Sequence, residues 1–218
     1  MNYSRSIDSE NRVLLYIDTV KERDPIFISD LYKDITNRNA VETIIKKLKK
    51  DSILREYSLN IYYKPMNTPF GELGINKEKL IKRLYLKNND EITGYVTGPT
   101  IWNYYRLTTQ IPNKRWIVSN YAKENYEEND LRIKLIVPKI KITNENYRIL
   151  QILDVIEDKN RMYIQDLNWN NYNSFLQIVS KVDNDELNKL INISKTYDDS
   201  VKKDIDMILK YFYESKYK

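Results

Sequence analysis

NAVETIIKKLKK, residues 39–50, is the stretch on which the reading of this chain turns. Val41, Ile44, Ile45 and Leu48 recur at helical spacing and make one apolar stripe. Removing that stripe leaves Asn39, Glu42, Thr43, Lys46, Lys47 and Lys50 on the outer face. Thr36 to Asn39 reads as a turn, with Asn39 placed to cap the helix that follows. Before the turn, Ser29 opens a brief helix with Leu31, Tyr32 and Ile35 inward. Ile26 to Ile28 reads as a short strand after the break at Asp24-Pro25. Earlier still, Val13, Leu14, Ile17 and Val20 make a helix after Ser9. Beyond Lys50, Ile53-Leu54-Arg55 and Ile61-Tyr62-Tyr63 are two β-type runs joined by residues 56–60. Two helices, a tight turn, a third helix and a hairpin give the order of a winged helix-turn-helix over residues 1–64.

That order makes residues 39–50 a DNA-reading helix, the element that a winged helix lays in the major groove with its first residues on base edges. Arg38, Asn39, Glu42 and Thr43 are then the candidate base readers. Lys46, Lys47 and Lys50 are candidate phosphate contacts, and Arg55, Tyr57 and Ser58 lie in or near the wing. Residues 38–64 hold seven Lys or Arg against Glu42, Asp51 and Glu56, a local net charge of +4. On charge alone the face reads more readily as a solvated helix; the order of elements turns the reading toward DNA. Helix one is acidic, with Asp8, Glu10, Asp18, Glu22 and Asp24, and is expected to face away from DNA.

The rest of the chain reads as a second unit, residues 69–218. All four glycines (Gly71, Gly74, Gly94 and Gly98) fall in one short stretch, and Pro65 and Pro69, ahead of Gly71 and Gly74, mark a linker or a turn-rich entry to a second unit. Lys77 to Leu86 is an amphipathic helix. Ile92 to Thr97, Tyr105 to Ile111, Arg115 to Tyr121 and Leu131 to Val137 read as strands, with a helical turn at Thr100 to Tyr104. After Pro138 there is neither Gly nor Pro, and stripes such as Ile149, Leu150, Leu153 and Ile156 predict a helical tail from about residue 143. The fold class is therefore α+β: a winged helix, a sheet part over about 69–142 and a helical part over about 143–218.

The chain's 218 residues include no His and no Cys. A Cys nucleophile, a His general base, a Ser-His-Asp triad and zinc sites built on Cys or His are thereby excluded. No disulfide can form, which fits a reducing cytosol, and a cytoplasmic location is the expectation. No run of about 18 apolar residues occurs, so no membrane partner is expected. Neither GxxxxGK[ST] nor GxGxxG is present. Glu157-Asp158-Lys159 and Glu214-Ser215-Lys216 match the E-x-K of restriction-type nucleases but sit in helical sequence. Asp183 to Glu186 resembles the start of a calcium loop, yet Asn188 stands where that loop needs glycine. The expectation is no catalytic residue, no metal and no cofactor.

Three blocks carry a family resemblance. Phe27-Ile28-Ser29-Asp30-Leu31, then Val41 to Leu48, then Ile53-Leu54-Arg55 and Tyr62-Tyr63-Lys64-Pro65 form the first. Gly94 to Pro112, with Leu107-Thr108-Thr109-Gln110-Ile111-Pro112, is the second and most specific. Leu150 to Asp154 and Tyr197 to Tyr211 form the third. Together they resemble the AbiEi-type antitoxins, transcriptional regulators of type IV toxin–antitoxin modules. The resemblance covers nearly the whole chain at weak to moderate identity. Two places depart from the family pattern: Arg106 stands where glycine is frequent, and Ser58 to Asn60 lacks the wing glycine. The resemblance implies a protein that binds double-stranded operator DNA, represses its own operon and opposes a nucleotidyltransferase-like toxin, often in phage defence. A stand-alone regulator with a sensing C-terminal domain, a carboxylate nuclease and a winged helix used only for protein contact remain as other readings.

Overall fold

The computed structural model describes residues 2–159 and 167–216, with side chains from residue 8 to residue 215. The fold is α+β and divides into two compact units, Met1–Ile81 and Lys82–Lys218. None of the helices among the described residues is long and apolar enough to cross a membrane.

In the first unit the order is α1 (Asn2–Thr19), β1 (Ile26–Phe27), α2 (Ile28–Asp34), α3 (Arg38–Lys50), β2 (Arg55–Ser58) and β3 (Ile61–Tyr63). β3 pairs antiparallel with both β1 and β2, so the sheet order is β1-β3-β2. The core joins α1 to α3 through Val13, Ile17, Val41, Ile44, Ile45 and Leu48, and closes on the sheet through Ile26, Leu54 and Tyr62. Each of these aliphatic side chains contributes roughly 1.5–3 kcal/mol by leaving water. α1 begins well before Ser9, which lies buried within it and not at its start. α2 likewise starts one residue before Ser29, at Ile28.

Two further elements belong to this unit: the hairpin β4 (Met66–Thr68) and β5 (Gly71–Leu73), and the short helix α4 (Lys77–Ile81). The expected linker at 65–74 is thus an ordered hairpin, and the division falls after Ile81 instead of between 64 and 69. The cause is a set of contacts made from Arg23, Asp24 and Arg55. The Arg23 backbone bonds to Lys64 and Asn76, and its side chain donates to the Gly74 carbonyl at 2.9 Å. Lys79 pairs with Asp24 at 2.6 Å, and Arg55 grips both oxygens of Glu72.

The second unit opens with a π-helical turn, Lys82–Leu86, where a continuous α-helix was expected from Lys77. Then come the two-residue strands β6 (Lys87–Asn88) and β7 (Glu91–Ile92), β8 (Gly94–Thr97), α5 (Pro99–Tyr104), β9 (Arg115–Ser119), β10 (Tyr126–Glu128) and β11 (Ile133–Ile136). β8 to β11 form one sheet in the order β10-β11-β9-β8, with β9 and β11 parallel and the other pairs antiparallel. The helices α6 (Tyr147–Asp158), α7 (Trp169–Val179), α8 (Asn184–Ser194) and α9 (Lys202–Lys216) follow. Leu153, Val155, Ile156, Phe175, Leu176, Val201 and Ile208 are among the buried side chains that fuse helices and sheet into one core.

Gly94 and Gly98 are required here by close approach. A Cβ on Gly94 would stand 2.1 Å from the Tyr85 carbonyl oxygen, and one on Gly98 would stand 2.4 Å from the Trp116 ring.

The expected strand at Tyr105 to Ile111 does not form. Arg106 takes a left-handed φ of +57° and turns the chain as it leaves α5. Side chains then satisfy the following backbone: Asn171 donates to the Arg106 carbonyl at 2.7 Å, and Asn103 donates to the carbonyls of Thr108 and Gln110. Leu107 and Thr108 are buried, while Gln110 and Ile111 face solvent. A left-handed residue is the conformation glycine adopts most readily.

Candidate nucleic-acid interface

α3 is started by Asn37 and not by Asn39: the Asn37 side chain accepts from the Ala40 N–H at 3.1 Å. A cap of this kind is worth about 1 kcal/mol. Arg38 and Asn39 therefore lie in the first helical turn. At about 100° per residue, Asn39, Thr43, Lys46 and Lys50 fall along one line, and all four are exposed. Lys47 borders that line on one side, Glu42 and Arg38 on the other. The buried stripe is the one read from the sequence.

Each edge of this face is fixed by a different element. Toward α1, Lys47 Nζ lies 3.9 Å from Glu10 Oε1. Glu10 also lines a depression of about 390 Å³ with Asn39, Thr43 and Lys47. The acidic first helix is consequently not turned wholly away from this face. Toward α2, Arg38 stacks on the Tyr32 ring at 5.1 Å, and the Tyr32 hydroxyl donates to Glu42 at 3.3 Å. Burial, and next the charge of Glu42, raise the Tyr32 hydroxyl above its ordinary pKa. Toward the sheet, Lys49 pairs with Glu56 and sits over the Tyr62 ring. Its hydrogen bond to Glu56 raises the Lys49 ammonium's pKa.

These contacts sort the cations that the charge count lumped together. Lys49 and Arg55 are spent on Glu56 and Glu72. Lys64 donates to the carbonyls of Ile17 and Asp18 near the end of α1, where a cation suits the helix dipole. Lys46 and Lys50 make no ion pair among the described residues and are the two lysines free to meet an external anion. Thr43 has its hydroxyl on the Asn39 carbonyl at 2.8 Å, so its methyl and hydroxyl are held in one orientation.

Arg55 lies at the base of the β2–β3 hairpin, opposite Tyr63, and away from its tip. Tyr57 lies where the register slips between Glu56 and Ser58, a bulge in β2. The hairpin turns at Leu59-Asn60. Asn60 takes a φ of +64°, the role glycine would fill, and Leu59 is 82% exposed at the tip. The sequence signal missed at this face was Glu10, seven residues before Ile17 on a helix that touches α3. No spacing rule links Glu10 to Lys47; only the packing of α1 on α3 does.

No protein-family model matches this chain, and no curated protein is significantly similar to it.

Proposed function

We propose that the first unit is a winged helix-turn-helix that binds double-stranded DNA through the exposed face of α3. The chain as a whole is then a cytoplasmic, non-catalytic DNA-binding antitoxin and autorepressor of the AbiEi type, opposing a nucleotidyltransferase-like toxin. The observation that carries the DNA reading is the line of Asn39, Thr43, Lys46 and Lys50 along one exposed helix face, with neither lysine in an ion pair among the described residues. Asn39 and Thr43 stand at the end of α3 that meets base edges first, and Lys46 and Lys50 stand where phosphates follow. Arg38 and Glu42 flank the base-reading end. Lys47 joins the phosphate contacts once it exchanges Glu10 for the backbone. Arg55 holds the base of the wing through Glu72, and its part is positional. The antitoxin reading rests on the three motif blocks, above all Gly94 to Pro112.

The test pairs two assays on the full chain. A promoter reporter measures repression, and growth of cells expressing the adjacent toxin measures protection. Lys46→Ala with Lys50→Ala loses repression and keeps protection. Loss of neither overturns the DNA reading, and absence of protection by the unaltered chain overturns the antitoxin reading. Asn39→Ala and Thr43→Ala each change preference at a single base pair, a contact worth ~1–3 kcal/mol when bidentate.

The second reading, a stand-alone regulator whose C-terminal unit senses a ligand, is favoured by one feature: a charged cavity of about 270 Å³ within the second unit.

A further inference from the structure

We propose that this cavity binds a neutral free α-amino acid, gripping its carboxylate and its ammonium at opposite walls. One wall is a face of the sheet. Thr97, Trp116 and Lys134 stand in register across β8, β9 and β11, and Tyr95, Val118 and Ile136 form the next row. The other wall is α6, where Asp154, Glu157 and Asp158 share one face at i, i+3 and i+4.

The two walls carry opposite chemistry. Lys134 Nζ lies 4.2 Å from the Trp116 ring centroid. Glu127, opposite it on β10, is hydrogen-bonded by Lys114 and is drawn to Lys134 only by the weaker pull of its charge. Gly98 packs closely against the Trp116 ring, leaving no room for a Cβ. Asn125, which also lines the cavity, accepts the Val137 N–H at 2.8 Å through its Oδ1, which leaves its NH₂ to donate. An ammonium and an amide NH₂ at one cavity wall are donors for a carboxylate.

At Asp154 the two walls meet: its carboxylate accepts from the sheet's Tyr95 at 2.8 Å and Thr97 at 3.4 Å, and from Tyr197 at 2.9 Å. Glu157 is buried and meets Lys139 through one oxygen, Oε1. Its second oxygen is the acceptor left for an ammonium. Val118 and Ile136 supply the apolar surface between the ends. Three carboxylates against two lysines at the lining leave no excess of positive charge for a phosphate or a dicarboxylate. The volume, close to the lower end of the ~300–1,000 Å³ usual for drug-sized ligands, suits a single amino acid. This inference is independent of the DNA reading; it supplies the ligand for the sensing alternative.

The experiment is calorimetric titration and thermal melting of the full chain, without DNA, against each neutral L-amino acid up to about 10 mM. At least one amino acid binds saturably and raises the melting temperature. Its N-acetyl derivative, which lacks the ammonium, and its amide, which lacks the carboxylate, both fail. Asn125→Asp keeps the acceptor for Val137 but opposes a carboxylate with a carboxylate, and it lowers affinity about ten-fold or more. Lys134→Met does the same while its far-UV spectrum stays native. No saturable binding by any member of the set overturns the proposal. So does equal binding of the N-acetyl derivative, or unchanged affinity in natively folded Asn125→Asp.

Discussion

The lysines of the two units live under different rules. Lys46 and Lys50 stand exposed on α3, with no ion pair among the described residues. Lys159 in the second unit sits at 12% side-chain exposure, paired with Asp204 at 4% and packed over the Tyr172 ring. An exposed ammonium costs nothing to leave unpaired and is available to a partner. A buried one must be neutralised from within, and its partner is then held hostage to it. The same residue type therefore stands open to a partner in one unit and serves internal architecture in the other. The difference lies in what packs around it.

Removing one member of the buried pair is the sharpest way to break that contrast. Lys159→Met strands Asp204 in the core and is expected to cost ~3–5 kcal/mol. Chemical denaturation measures it, and Lys159→Met with Asp204→Leu recovers most of the loss. An equal loss in the double variant would mean that packing, and not charge, is at stake. Lys46→Ala, by contrast, changes stability by less than about 0.5 kcal/mol in the same assay.

Asp154 gives the next effect. Burial pushes its carboxyl up to about 6, against hydrogen bonds from Tyr95 and Tyr197 that pull it down; Glu157 adds repulsion and Lys139 attraction. The folded-state value lies above the unfolded one, so the folded state binds the extra proton between about pH 4 and 6. This group's contribution to stability is favourable at the acid end and is lost as pH rises through about 6. Asp154→Asn removes that slope, a change on the order of 3 kcal/mol across the window. Denaturation of both proteins at pH 4 and pH 8 checks it. Parallel pH profiles would contradict the raised value.

Smaller effects sharpen the account of α3. Asn37→Ala removes the cap and costs about 1 kcal/mol, whereas Asn39→Ala leaves stability nearly unchanged. Arg55→Ala severs the exposed pair to Glu72 and costs less than about 1 kcal/mol. The melting curves of these variants separate the residue that starts the helix from the exposed one in its first turn.

The sequence made the α3 stripe legible because Val41, Ile44, Ile45 and Leu48 recur at one helical period. The strands at Gly94–Thr97, Arg115–Ser119 and Ile133–Ile136 stood out because their β-branched runs are bounded by turn residues. The Tyr105 to Ile111 segment has the same composition but no strand. Its backbone is bonded by Asn103 and by Asn171, the latter 65 residues from its partner Arg106, and no local pattern announces such a bond. The hairpin at 66–73 was hidden for a similar reason: Pro and Gly mark turns in linkers and hairpins alike. At the interface the cations were countable, but which of them are spent depended on Glu10, Glu56 and Glu72, each on another element. In the second unit Asp154, Glu157 and Asp158 looked like ordinary charges on a helix. Only the sheet packed against them turns them into a cavity wall.

The most direct test of the DNA reading is the salt dependence of promoter binding by the full chain and by Lys46→Ala with Lys50→Ala. The account predicts weaker binding to every sequence and a slope of log K against log salt that is shallower by about 0.9 for each lost phosphate contact. Binding of equal affinity and equal slope in the two proteins would contradict it.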